Sequence, residues 1–82
     1  MVVTLYDELE ATIAKASKRY GEFASTHEAL GVALEEWTEL QEAIRANDLP
    51  AVEHECIDLA AVLMRLARAI CNSDPLQLRS VK

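Results

Sequence analysis

The chain has few of the residues that break up regular structure. It carries two glycines, two prolines and two cysteines in 82 residues, and its aromatic set is one Trp, two Tyr and one Phe. No segment alternates apolar and polar residues as a half-buried strand would. There is also no internal repeat and no low-complexity stretch. The two cysteines, Cys56 and Cys71, fall on one expected helix about 22 Å apart at the helical rise per residue. That separation excludes a disulfide within the chain and suits a reduced, cytoplasmic setting. Positive charge is scarce too: the formal net charge is -6, so the basic footprint needed to bind polymeric nucleic acid is missing. No uninterrupted apolar run is long enough to span a membrane. The opening MVVTLYDELE lacks a basic stretch followed by an apolar one, so no signal peptide is expected.

What remains is rich in Ala, Leu and Glu, residues that lose little on entering a helix. Hydrophobic residues make up 51% of the chain, too many for a disordered segment. They are also many for a free-standing three-helix monomer, so self-association is expected. Thr4, with Asp7 three residues on, marks the start of a first helix. Leu5, Leu9, Ile13, Ala16 and Tyr20 then recur at helical spacing as far as Gly21. Ser25 and Glu28 form an S-x-x-E capping pattern ahead of a second apolar-periodic run. Asn47-Asp48-Leu49-Pro50 is a short turn, and Asp48 can cap a third helix. The expected architecture is all-α: one domain over residues 1–82, with helices at about 4–20, 26–46 and 50–71. Asn72-Ser73-Asp74-Pro75 stops the third helix, and residues 73–82 form a loose tail. The helices are expected to assemble into a helical-bundle dimer or tetramer.

On the second helix, Leu30, Ala33, Leu34, Trp37, Leu40 and Ile44 form the centre of an apolar stripe, which Ala29, Val32 and Ala43 widen on one side. Glu36 falls among those three, and Glu39 adjoins them. Glu28, Glu35 and Glu42 lie further round, toward solvent. The third helix is apolar almost all the way round from Glu55 to Cys71, as suits a central helix. Its charges in that stretch are Glu55, Asp58, Arg65 and Arg68. Glu55 and Asp58 are i,i+3 neighbours on one face. Helices joined by a short turn lie side by side and antiparallel, so each presents a carboxylate pair at a half-buried position. An unpaired charge there costs several kcal/mol, on the order of the buried-ion penalty. A hard divalent cation, which prefers oxygen ligands, is the natural counter-ion. The two His and two Cys have no paired spacing for a zinc site. On the second helix alone, solvated surface charge would be the favoured reading. The apolar setting of Glu55 and Asp58 favours the metal.

Glu35-Glu36-x-x-Glu39 followed by Glu55-x-x-Asp58, with fifteen residues between the halves, resembles the E-E-x-x-E … E-x-x-D signature of the all-α nucleotide pyrophosphohydrolases, the MazG-like family. The text from His27 to Leu40 is similar to a phage- and mobile-element-associated subgroup. The resemblance covers residues 15–70. It implies a helical dimer or tetramer that uses magnesium, or manganese, to cleave a nucleoside triphosphate to monophosphate and pyrophosphate. By position, Glu36, Glu39, Glu55 and Asp58 would be metal ligands. Glu35 would support them or orient the attacking water, which makes Glu35 and Glu36 the candidate catalytic residues. The chain lacks the long helix that larger relatives carry beyond the position of Pro75, so a partner subunit would have to complete the pocket, or the pocket stays open.

Three further residues are candidates for substrate binding. Arg65 shares the Asp58 face about 10 Å further along and suits either the triphosphate tail or an ion pair between subunits. Lys18, with Lys15 and Arg19, ends the first helix, where cations complement the helix dipole; a phosphate role is the alternative. Tyr20 borders the loop to the second helix, as Phe23 does, and can stack on a base. Trp37 is expected in the core, and the cysteines as small core fillers. His27 and His54 receive no role. A di-iron carboxylate bundle would need E-x-x-H pairs, which are missing. A non-catalytic helical dimerisation or adaptor module, keeping the fold without turnover, is the competing function.

Overall fold

The computed structural model describes residues 3–72, and within them the chain is all helical. Helix α1 spans Leu5–Tyr20, α2 spans Thr26–Arg45 and α3 spans Leu49–Asn72. These bounds lie within a residue of those expected. The proposed tail, residues 73–82, lies outside the described residues.

Local chemistry places each helix end. Thr4 Oγ1 accepts a hydrogen bond from the Asp7 amide at 3.1 Å, and the Thr4 amide donates to Asp7 Oδ2 at 3.0 Å, closing a reciprocal cap. Ser25 Oγ accepts from the Glu28 amide, but Glu28 Oε1 reaches past the cap to the Ala24 amide at 2.9 Å. The S-x-x-E pattern therefore closes one residue earlier than its usual form. Gly21 ends α1 at φ 72 and ψ -160, backbone angles that only glycine adopts without strain.

The α2–α3 turn is built from three residues. Asn47 takes φ 54, a left-handed conformation that Asn tolerates. The Asn47 amide donates to Ile44 O and the Asp48 amide to Ala43 O, the paired bonds that commonly close a helix C-terminus. Asp48 Oδ1 then accepts from the Ala51 amide at 3.2 Å and caps α3. So tight a reversal sets α2 and α3 side by side.

Helix α3 packs against both α1 and α2, as its apolar surface predicts. The core consists of Ile13, Ala29, Leu40, Ala43, Ala61 and Val62. Three of these six are alanines, which let helix axes approach closely. The stripe expected to face inward on α2 does not do so as a whole. Leu40 is buried, whereas Leu30, Leu34 and Ile44 are exposed and Trp37 is 46% exposed. The packed side of α2 is the Ala29–Ala43 flank, which carries Glu36. Cys56 and Cys71 are exposed thiols, not the core fillers expected. Arg68 pairs with Glu10 on α1.

Candidate carboxylate centre

The turn at residues 46–48 brings the two acidic pairs together. Glu36, Glu39 and Glu55 each offer a carboxylate oxygen, and these atoms lie within 4.8 Å of one another. His54, Glu55 and Asp58 form a second such group at the same spacing, so Glu55 belongs to both. Glu36, Glu55 and Asp58 are half-buried, while Glu39 and His54 are exposed. Glu55 therefore meets the α2 pair across the α2–α3 interface, and Asp58 joins through Glu55 on α3.

The cost of that convergence is visible in the acids themselves. Burial, and then the charges of Glu39, Asp58 and Glu55, push the Glu36 carboxyl from its ordinary 4.5 up to about 7. Glu55 is also raised, first by burial and then by its hydrogen bond to Glu39 and the nearby charges of Glu39 and Asp58. The neighbouring His54 opposes that shift. Glu36 Oε2 and Glu55 Oε2 are buried and make no hydrogen bond. A buried carboxylate oxygen without a donor is costly, so the pair must either share protons or meet a cation. An all-oxygen set of this kind fits a hard divalent ion, with Glu36, Glu39, Glu55 and Asp58 as the residues able to hold it.

A cavity of about 570 Å³ opens beside the centre, with Glu35, Glu36, Asp58, Tyr20, Phe23 and Arg65 among its lining residues. Its size lies within the range of small-molecule sites, roughly 300–1,000 Å³. Arg65 is 8% exposed. Its Nη2 donates to Gly21 O at 2.9 Å, and its guanidinium lies 4.3 Å from the Phe23 ring centroid. It thus fastens the α1–α2 loop to α3 while forming part of the cavity wall. Tyr20 is exposed at the rim, with the Arg19 guanidinium over its ring at 5.3 Å. Lys18 sits on the last turn of α1 and is not among the lining residues.

Two contributors were read differently from the sequence. Phe23 gained only a weak stacking role, yet it is the surface on which Arg65 rests. His54 gained none, yet its Nε2 lies 3.2 Å from Asp58 Oδ2; the i,i+4 spacing of the two was the available signal. The chain matches no protein-family model, no curated protein and no solved structure.

Proposed function

We propose that this chain is a divalent-metal-dependent nucleoside triphosphate pyrophosphohydrolase, converting a (d)NTP and water to the (d)NMP and pyrophosphate. The observation that carries the reading is the pair of buried, unpartnered oxygens on Glu36 and Glu55, set between two carboxylate-bearing helices beside a nucleotide-sized cavity. The E-E-x-x-E … E-x-x-D resemblance supplies the reaction. Glu36, Glu39, Glu55 and Asp58 would hold magnesium, or manganese in its place. When bound, the cation would neutralise charge on the triphosphate as pyrophosphate leaves.

The chain's own residues do the rest. Glu35 stands on the cavity wall next to Glu36 in sequence, where it orients the attacking water and takes its proton. Water oxygen attacks the α-phosphorus, the bond from that phosphorus to the bridging oxygen breaks, and pyrophosphate departs with the electron pair. Tyr20 and Phe23 border the space for the nucleoside. Arg65, held in place by Gly21 and Phe23, offers its positive charge to the phosphates. Lys18, outside the wall, serves the helix dipole in a single chain and reaches phosphate only if a second copy brings it near.

A homodimer or homotetramer belongs to the same proposal. Leu30, Leu34, Trp37 and Ile44 present an apolar surface along α2, and exposed apolar surface of this extent marks an association site. The same surface also favours the second reading, a non-catalytic helical dimerisation module. Among the described residues no helix is long and apolar enough to cross a membrane. The free, exposed thiols of Cys56 and Cys71 suit a reducing compartment, and on that ground the proposal extends to the cytoplasm.

A panel of nucleoside triphosphates incubated with the protein and magnesium, assayed separately for pyrophosphate and phosphate, tests the reading. Pyrophosphate release that disappears in Glu35→Gln and Glu36→Gln is expected. Release of phosphate alone, or of neither product, would overturn it.

A further inference from the structure

We propose that a second cavity, between α1, α3 and the α1–α2 loop, binds the phosphate group of a small phosphomonoester, with Arg65 and Ser17 as its donors. The cavity holds none of the carboxylate-centre residues and needs no metal, so the inference stands apart from the proposed reaction.

This cavity measures about 480 Å³, and Ile13, Ser17, Phe23, Arg65, Arg68 and Ala69 are among its lining residues. Arg65, with Glu22 and Phe23, belongs to the walls of both this cavity and the first. The charge on Arg65 is what points to an anion. The residue is 8% exposed, and arginines buried so deeply are normally paired. Among the described residues the ion pairs are His54–Asp58 and Arg68–Glu10, and neither involves Arg65. A buried charge without a counter-charge is costly. The guanidinium donates one hydrogen bond, from Nη2 to Gly21 O, and lays its face on the Phe23 ring. The other donors of the planar fork stay unused. They are not sealed in, because the buried side-chain atoms without a partner are on Glu36 and Glu55.

Ser17 supplies a second free donor. Thr12 and Thr38 turn their hydroxyls back to the carbonyl four residues earlier, the common habit of such residues inside a helix. The Ser17 hydroxyl makes no such bond, although it is half-buried in the cavity wall. Donors on α1 and α3 thus flank one space. A tetrahedral phosphate can accept from both walls at once, and a guanidinium edge matches its oxygens. Ile13, Phe23 and Ala69 add apolar surface, which suits the organic body of an ester. Arg68 contributes less, because Glu10 already meets its charge. Glu22 is exposed in the wall and makes no ion pair, so it opposes the anion.

Amide-correlation NMR of the full ¹⁵N-labelled chain in chelator, titrated with phenyl phosphate, inorganic phosphate and acetate, tests the site. Phenyl phosphate should give saturable shifts at Ser17, Phe23, Ala69 and the Arg65 Nε–H. Inorganic phosphate should move the same signals with affinity at least about 3-fold weaker, for want of an apolar body, and acetate should not saturate. Ser17→Ala should weaken phenyl phosphate about 10-fold, the worth of a hydrogen bond to a charged group. Glu22→Gln should tighten it about 3-fold by removing a like charge. Shifts confined to Val32, Glu35 and Ala61, which line the first cavity alone, would overturn the proposal. So would the lack of any saturable shift, acetate binding as tightly as phosphate, or a Ser17→Ala variant that binds like the wild type. Equal affinity for phenyl phosphate and inorganic phosphate would overturn the ester. None of these outcomes bears on the carboxylate centre, because no metal takes part in the titration.

Discussion

Glu36 on α2 and Glu55 on α3 each turn one carboxylate oxygen into the interface between their helices, and neither oxygen finds a hydrogen-bond donor. The two belong to one group of converging acids, and both are harder to ionise than a free glutamate. In the metal-free chain their repulsion works against the packing of α2 on α3.

Burial of Glu36, and then repulsion from its acidic neighbours, give stability a defined pH dependence. The folded-state pKa of Glu36, about 7, lies above its ordinary 4.5, so the folded chain holds a proton that the unfolded chain releases. Stability from this group is complete below pH 4.5 and is lost as pH rises from there through about 7. Solvent reaches the half-buried site and screens much of the effect. Replacing Glu36 by Gln should therefore raise the metal-free Tm at pH 8 by about 4–8 °C, the shift that about 1 kcal/mol produces in a domain of this size. The same variant should flatten the Tm profile between pH 4.5 and 8 in thermal melts with chelator. An unchanged Tm at about pH 8 would show that burial and the neighbouring acids do not penalise the Glu36 charge as described.

Arg65 has a structural duty separate from any role toward phosphate. Its guanidinium joins α3 to Gly21 and Phe23 in the α1–α2 loop. Arg65→Ala should destabilise the chain by about 2–3 kcal/mol, from one charge-assisted hydrogen bond and one partly desolvated cation–π contact. Arg65→Lys keeps the charge but not the planar group that stacks on Phe23, and should recover less than half of that loss. Urea unfolding followed by circular dichroism measures both. Equal midpoints for wild type and Arg65→Ala would remove the clamp from the account.

Helix limits were legible in the sequence because caps are local. Thr4, Ser25 and Asp48 each accept from an amide three residues on, and Gly21 ends α1 through its own backbone angles. The meeting of the carboxylates was legible for a related reason: the turn at residues 46–48 is too short to let α2 and α3 do anything but lie together. Which side of α2 would be buried was not legible. Ala29 and Ala43 flank one edge of its apolar surface, while Leu30, Trp37 and Ile44 lie along the rest. Periodicity locates that surface without saying which part meets α3 and which part stays exposed. The small residues took the intramolecular contact because they permit close approach. His54 received no role because an i,i+4 His–Asp pair is common on any helix surface.

The surface left over on α2 makes a quaternary prediction. Trp37→Glu places a charge in the middle of the exposed Leu30, Leu34 and Ile44 side chains. Light scattering coupled to size exclusion should show a dimer or tetramer for the wild type and a monomer for this variant, with helical content retained by circular dichroism. A wild-type monomer at micromolar concentration would contradict the assembly.

The central claim is that acids from α2 and α3 form one cation site, and calorimetric titration of the metal-free chain with Mg²⁺ tests it most directly. The account predicts saturable heat for the wild type, weakened by about 10-fold or more in Asp58→Asn, with helical content unchanged. A wild type that gives no saturable heat, or an Asp58→Asn variant that binds as the wild type does, would contradict it.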